Sequence, residues 1–246
     1  MGNNVFVLSA HLDDAVLSAS AALMRPGVTL VTVFSGMPPE GLAPTYWDRL
    51  TRAESSRQRQ VERLSEDDEA RGVLGCATVR LDELEEQYRS GAVDVERLAA
   101  RIGRVIEDAA EVWIPAAIGG HVDHQIARDA ALAAIGVAAR RPEVHVYADV
   151  PYVLWHGLPT WVTGEERPPY LDVDAWLDGE LRYRGLDPGR LTREVVTLSP
   201  ESRALKEKAV AAYRSQLPAL SLDGSNPLRL RNALSHEISW LLEACG

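Results

Sequence analysis

The stretch VFVLSAHLDDAVLSASAALMRPGVTLVTVF, residues 5–34, has the pattern of a strand, a loop, a helix and a second strand. Residues 5–9 and 28–34 are β-branched and aliphatic, and the Ala- and Leu-rich residues 16–24 lie between them. Two strands joined by a helix form a βαβ unit, whose right-handed crossover makes the strands parallel. We therefore expect the loop after the first strand to lie at the carboxyl ends of the strands, where open α/β sheets bind ligands.

The same alternation continues along the rest of the chain. It predicts an α/β sandwich with a mostly parallel sheet, in a single domain over residues 1–246. Residues 151–178 depart from this alternation of strands and helices, because they are rich in prolines and aromatic side chains. Such a segment is typical of a lid or an insertion. Further strands are predicted at 78–81, 112–115, 144–147 and 195–198, and helices at 46–74, 95–110, 126–139, 200–214 and a final apolar helix through 238–242.

Composition excludes several classes of protein. The chain has 246 residues with 26 basic and 36 acidic side chains, so its formal net charge is −10. Because nucleic-acid binding needs clustered Lys and Arg, we expect no nucleic-acid partner. Cys76 and Cys245 are far apart and form no Cys-x-x-Cys pattern, which favours a reducing cytoplasm over a disulfide framework. We also expect no signal peptide, because the N-terminus lacks a basic start and a long apolar stretch, and no lipid anchor, because Phe6 stands where myristoylation needs Ser or Thr. No membrane span is expected, since no run of 18 apolar residues occurs.

Two short clusters combine histidine with aspartate. His11-Leu12-Asp13-Asp14 follows the first predicted strand, and His121-Val122-Asp123-His124 follows the strand at 112–115. Since both come at carboxyl ends of predicted parallel strands, we expect them to meet at one crevice.

Imidazoles and a carboxylate are suited to a divalent transition metal, and a hydrolytic zinc centre uses three protein ligands and one open position. His11, Asp14 and His124 supply such a set. Asp13 is then available as a general base, and His121 as a group that stabilises a developing oxyanion. Asp123 is expected to orient a neighbouring imidazole.

A purely structural interpretation of the same residues stands beside this one. Asp13 or Asp14 could cap the helix that follows, and Asp123 could cap the next one, because Asp is a favoured N-cap residue. The isolated His145, His156 and His236 are expected to be structural.

The chain resembles the PIG-L/LmbE-type N-deacetylases. SAHLDDAVLS is similar to their AHPDDE signature and GGHVDH to their HPDH signature, and VTVFSG, EDDEARGVLG, VWIPAAIGG and YRSQ extend the likeness over most of the chain. The resemblance implies a Rossmann-like three-layer sandwich and zinc-dependent removal of an acyl group from a glucosamine-type sugar. It implies the same ligands, His11, Asp14 and His124, with Asp13 as general base and His121 as electrostatic catalyst.

Two positions depart from the signature. Leu12 replaces proline, which the turn should tolerate, and Ala15 replaces glutamate, which removes an outer carboxylate. Neither change removes an expected ligand. The metal is expected to be Zn²⁺, with Fe²⁺ as an alternative.

These observations predict a bacterial hydrolase that acts on a small N-acyl sugar or glycoconjugate of a secondary-metabolite or thiol pathway. The alternatives are a non-catalytic metal- or ligand-binding homologue and a non-haem iron oxygenase, which also uses two histidines and a carboxylate. The aromatic residues at 155, 161, 170 and 176 are expected either to form a wall for the substrate or to bury the insertion. Arg52, Arg57 and Arg63 could reach an anionic group of the substrate, but their position on a charged helix favours solvation.

Overall fold

A computed structural model describes residues 4–166 and 168–243. One seven-stranded sheet, in the order β3-β2-β1-β4-β5-β7-β6, organises this part of the chain. The strands are β1 (Val5–Ser9), β2 (Val28–Thr32), β3 (Ala77–Arg80), β4 (Glu111–Pro115), β5 (Glu143–Tyr147), β6 (Leu191–Thr197) and β7 (His236–Leu242).

Helices flank the sheet, so the predicted α/β class with a mostly parallel sheet is confirmed. Short 3₁₀ segments at Glu86–Tyr88, Tyr152–Leu154 and Pro188–Arg190 connect elements. The α-helices are α1 (Asp14–Ser18), α2 (Ser20–Leu23), α3 (Tyr46–Leu50), α4 (Ser56–Leu74), α5 (Val95–Val105), α6 (Val122–Gly136), α7 (Thr160–Thr163), α8 (Val173–Tyr183), α9 (Pro200–Val210) and α10 (Pro227–Ser235).

Strands β1 to β5 are mutually parallel, and β1 lies between β2 and β4. The chain therefore moves outward through β2 and β3 on one side of β1, then returns to continue through β4 and β5 on the other. Their spatial order matches that of a Rossmann fold, in which the reversal of direction opens a crevice at the carboxyl ends of the central strands. This topology brings the loops after β1 and β4 together.

The central strands are buried on both faces. Val7, Leu8, Leu30, Val112 and Ile114 are all fully inaccessible to solvent. Strands covered by helices on both sides must be apolar throughout, which explains the continuous aliphatic runs in the sequence.

The predicted C-terminal helix is wrong, because residues 236–242 form strand β7. It lies antiparallel between β5 and β6, and Trp240 on it is buried. A short apolar run in the interior of a sheet has no polar face, so periodicity alone cannot distinguish it from a buried helix.

Two other predictions needed correction. The helix expected at 46–74 is two helices, α3 and α4, and Gly75 closes the second one as predicted, with φ of 75°. The irregular region 151–178 contains α7 and the start of α8, whose Leu177 and Leu181 pack into the core. Within residues 4–166 and 168–243, no helix combines the length and the apolar character needed to cross a bilayer.

Candidate metal centre and active site

The two His/Asp clusters meet at the carboxyl ends of β1 and β4. One cluster follows β1 directly, and the other forms the first turn of α6 after β4. The ring centroids of His11 and His124 are 5.2 Å apart, and those of His11 and His121 are 4.8 Å apart. Side chains that are distant in sequence thus lie around one cavity.

Local hydrogen bonds shape the loop after β1. The His11 amide donates to Asp14 Oδ2 at 2.7 Å, and the Ala15 amide donates to Ser9 Oγ at 3.0 Å. Asp13 occupies the N-cap position of α1, but its side chain makes no capping hydrogen bond. The capping interpretation therefore does not account for either carboxylate.

Three donor atoms converge in a way that fits a divalent transition metal. Asp14 Oδ2 lies 3.2 Å from His11 Nδ1 and 3.2 Å from His124 Nε2. All three side chains are buried, and their donor atoms lie within 4.8 Å of one another. Two imidazole nitrogens and one carboxylate oxygen match the ligand set of a catalytic zinc site.

The electrostatics of the cluster agree with this geometry. Burial opposes the charged form of His124, but Asp14 and Asp149 outweigh it and raise its pKa to about 9. Burial likewise disfavours the ionised form of Asp14, yet His124 and His11 hold the pKa of this carboxyl well below its usual range. The cluster thus has a strong affinity for positive charge, which a bound metal ion would satisfy in place of protons.

In each histidine of this set, the ring nitrogen that faces away from Asp14 forms a hydrogen bond with a further carboxylate. His11 Nε2 lies 3.0 Å from Asp123 Oδ2, and His124 Nδ1 lies 2.6 Å from Asp149 Oδ1. The Ile118 amide donates to the other oxygen of Asp149 at 2.8 Å. Such partners fix the ring orientation and place the free nitrogen toward the metal.

Asp13 lies beside the donor set without belonging to it. Its side chain is buried and lines the cavity. Burial and the negative charge of Asp14 raise its pKa to about 6, although Arg63, whose Nη2 lies 4.0 Å from Asp13 Oδ1, opposes the shift. A carboxylate with a raised pKa is better suited to accept and release a proton near neutral pH.

His121 lies at the N-terminus of α6 and lines the same cavity. Its Nδ1 accepts a hydrogen bond from the Asp123 amide at 3.2 Å, so in the neutral ring the proton is on Nε2. Burial and the positive charges of His11 and His124 lower the pKa of His121 to about 3. The backbone contact leaves Nε2 as the atom able to donate to a ligand.

The cavity in front of these residues has a volume of about 300 Å³. Its inner part is polar, with Asp13, Asp14 and His121, and its outer part includes Tyr46 and Trp47. A volume of this size is at the lower end for small-molecule sites and accommodates a sugar ring with a short substituent.

A protein-family comparison agrees with this arrangement. The family model PIG-L, described as GlcNAc-PI de-N-acetylase, matches residues 6–135, which is more than half of the 246-residue chain. The chain belongs to the PIG-L family of N-deacetylases. The predicted resemblance is therefore confirmed.

Solved structures resemble this PIG-L family member over nearly its whole length. The zinc-inhibited form of teicoplanin deacetylase Orf2 is 25% identical with a TM-score of 0.73, and 97% of each chain is covered. The A40926 pseudoaglycone deacetylase Dbv21 is 27% identical with a TM-score of 0.68, and 99% of each chain is covered. N,N'-diacetylchitobiose deacetylase from Pyrococcus horikoshii, at 16% identity and a TM-score of 0.55, shares the fold over 98% of this chain and 84% of its own. No curated protein sequence matches the chain.

Two residues of this PIG-L site were missed or misjudged in the sequence. Asp149 was missed, although its place just after β5 at the same edge of the sheet was a usable signal. Arg63 was expected to be solvated, but it is buried on α4, lines the cavity and forms an ion pair with Glu85. Arg52 and Arg57 are exposed as expected.

Of the two roles expected for the aromatic residues at 155, 161, 170 and 176 of this PIG-L protein, a substrate wall gets no support from the cavity lining. None of these four rings is among the described residues that line the cavity, whereas Tyr152 of the same region is. Trp161 packs near Trp240 of the core and Trp176 against His156, while Tyr170 is exposed. The alternative, that the insertion buries itself against the sheet, describes Trp161 and Trp176. His145 stacks on Trp113, and its structural role stays a prediction.

Proposed function

We propose that this protein hydrolyses the N-acyl amide of a glucosamine-type sugar carried on a larger natural product. The observation that carries the proposal is the convergence of His11, Asp14 and His124 beside the buried carboxylate of Asp13 in one cavity. A family of N-deacetylases and the solved relatives of glycopeptide pathways support it.

His11 Nδ1, Asp14 and His124 Nε2 would hold the metal, for which we propose zinc. A divalent ion bound there lowers the pKa of water and polarises the acyl oxygen, so no activated serine or cysteine is needed. Asp123 and Asp149 keep the two imidazoles oriented through the nitrogens that face away from the metal position.

The remaining residues have assigned roles in the hydrolysis. Asp13 accepts a proton from the attacking water as a bond forms between the water oxygen and the acyl carbon. His121 donates a hydrogen bond from Nε2 to the acyl oxygen as negative charge develops on it. The bond between the acyl carbon and nitrogen then breaks, and Asp13 returns its proton to the amine that leaves.

The substrate class rests on the cavity and on the relatives. A cavity of about 300 Å³ accommodates one acylated sugar, so the remainder of a glycoconjugate would lie outside it. The names of the relatives refer to teicoplanin and to the A40926 pseudoaglycone. We therefore propose a sugar on a peptide natural product as the substrate. A cytoplasmic location remains a prediction from the cysteine usage.

The test is amine release from a panel of N-acyl glucosaminides by the zinc-loaded protein. The panel would contain free N-acetylglucosamine, an aryl glycoside of it and an N-acylglucosaminyl glycopeptide, with fluorescamine detection. We expect free amine from at least the conjugated sugars and no requirement for oxygen. A protein that binds zinc but releases no amine from any member would instead support the non-catalytic homologue, and oxygen-dependent turnover would support the oxygenase.

A further inference from the structure

Tyr152 is a cavity residue to which the proposed reaction has so far assigned no role. It follows β5 by a few residues and begins the 3₁₀ segment Tyr152–Leu154. Its side chain lines the same cavity as Asp13, Asp14 and His121.

The ring of Tyr152 is held from three sides. Gly119 has a φ of 84°, and a Cβ at that position would lie 2.6 Å from the Cγ of Tyr152, so only glycine lets the ring lie against this loop. The ring also meets His124 edge-on at 5.9 Å and Trp155 at 5.3 Å between centroids. These contacts restrict the direction in which the hydroxyl points.

The hydroxyl of Tyr152 differs from those of the buried tyrosines. Tyr147 donates to the Leu8 carbonyl at 2.8 Å, Tyr213 to the Leu12 carbonyl at 2.9 Å, and Tyr88 to Asp48 at 2.9 Å. The Tyr152 hydroxyl has no hydrogen-bond partner among residues 4–166 and 168–243. Because a phenol in an apolar setting normally finds a partner, a hydroxyl that is unpaired at a cavity wall is available to a ligand.

We propose that Tyr152 is a further catalytic residue, whose hydroxyl donates a hydrogen bond to the substrate's acyl oxygen as that atom becomes an oxyanion. The inference rests on the proposed function, because it adds a second donor beside His121. A phenol is neutral at pH 7 and keeps its proton available as a donor. Since the ring is already fixed by packing, the bond to the developing charge requires little reorganisation.

Replacing Tyr152 by Phe tests the hydroxyl alone, since the ring and its packing remain. We expect kcat for amine release to fall by about 10²-fold, the effect typical of one lost oxyanion donor, with KM nearly unchanged. Zinc affinity and the melting temperature should match those of the wild type, because the hydroxyl has no partner within the fold. The matched control is Tyr170→Phe, which removes an exposed hydroxyl outside the cavity and should leave all four quantities unchanged.

A binding measurement separates transition-state from ground-state contacts. A methylphosphonamide of glucosamine mimics the tetrahedral intermediate, and calorimetry should show that Tyr152→Phe binds it more weakly by a factor similar to the loss in kcat. Equal kcat in the variant, or a raised KM with unchanged kcat and unchanged binding of the analogue, would overturn the assignment. A wild type that releases no amine would instead refute the proposed function, and the role of Tyr152 with it.

Discussion

At the scale of single residues, Asp13 is the most direct test of the chemistry. It is buried and lines the cavity, yet it is not one of the three converging metal donors. Asp13→Asn should therefore lower kcat by about 10²- to 10⁴-fold, as expected for a lost general base, while zinc content stays at the wild-type level. Amine release and metal analysis measure the two effects. Asp129→Asn, on the exposed side of α6, is the control, and undiminished turnover in Asp13→Asn would exclude the proposed base.

Asp149 acts through His124 and is a positioning residue. Its carboxylate is inaccessible to solvent and lies 2.6 Å from His124 Nδ1, which directs Nε2 toward Asp14. Asp149→Asn should weaken zinc binding about 10- to 100-fold, the usual effect of losing a carboxylate behind a ligating histidine. Competition with a chromophoric chelator measures the dissociation constant.

The control for this prediction is another carboxylate paired with a histidine. Glu194 Oε2 lies 2.8 Å from His145 Nδ1, and neither residue belongs to the His11, Asp14 and His124 set. Glu194→Gln should leave zinc affinity unchanged. Equal affinities in both variants and the wild type would show that Asp149 has no influence on the metal position.

At the scale of secondary-structure elements, a buried ion pair joins α9 to β7. Lys206 Nζ lies 2.8 Å from Glu237 Oε1, and the other oxygen of Glu237 accepts from the Ala21 amide in α2 at 2.9 Å. Lys206→Met should lower the free energy of unfolding by about 3–5 kcal/mol, because it leaves a buried carboxylate without its counter-charge. Urea unfolding measures this loss.

The chain has only one other lysine, and it provides the control. Lys208 is exposed on the same helix, so Lys208→Met should change stability by no more than about 0.5 kcal/mol. The double variant Lys206→Met with Glu237→Gln should recover part of the loss, since the buried charge is gone and an acceptor for the Ala21 amide remains. A single variant as stable as the wild type would contradict the prediction.

Helix α4 shows why the sequence misplaced a functional side chain at this scale. Its buried face is largely polar and includes Arg59, Gln60, Arg63 and Asp67, whereas Val61 is exposed. Sequence patterns assign the charged face of a helix to solvent. In α4 the charged face is buried and lies toward the cavity, where Arg63 forms an ion pair. The sequence pattern therefore wrongly places Arg63 in solvent.

At the scale of the whole molecule, the metal site should link two distant parts of the chain. His11 comes from the loop after β1, Asp14 begins α1, and His124 comes from α6. A metal that binds only the folded protein stabilises it by about 4 kcal/mol at 1,000 times its dissociation constant. For a chain of this size we expect a rise in melting temperature of roughly 2–4 °C per kcal/mol.

Thermal unfolding with zinc and with a chelator measures this prediction. Chelation should lower the melting temperature, and added zinc should restore it. Asp14→Ala removes the shared carboxylate and should abolish most of the zinc-dependent rise. The same melting temperature with and without metal, or an equal rise in Asp14→Ala, would contradict the proposed ligand set.

The sequence alone determined the α/β class, the parallel central strands and the family, because these follow from local patterns. Apolar runs of strand length, the helix between them and the motifs around His11 and His124 are all contained in short stretches of residues. Strand order at the carboxyl ends then predicts that the two clusters meet, and their rings are 5.2 Å apart.

Only the tertiary structure decided which other residues reach that site. Arg63 comes from α4, whereas Asp149 and Tyr152 come from the segment after β5, and their roles depend on contacts with residues remote in sequence. The strand identity of residues 236–242 was decided in the same way, through pairing with β5 and β6. Contacts between distant elements leave no periodic signal in a single sequence. Which side chains touch across two elements depends on packing and charge in the folded chain.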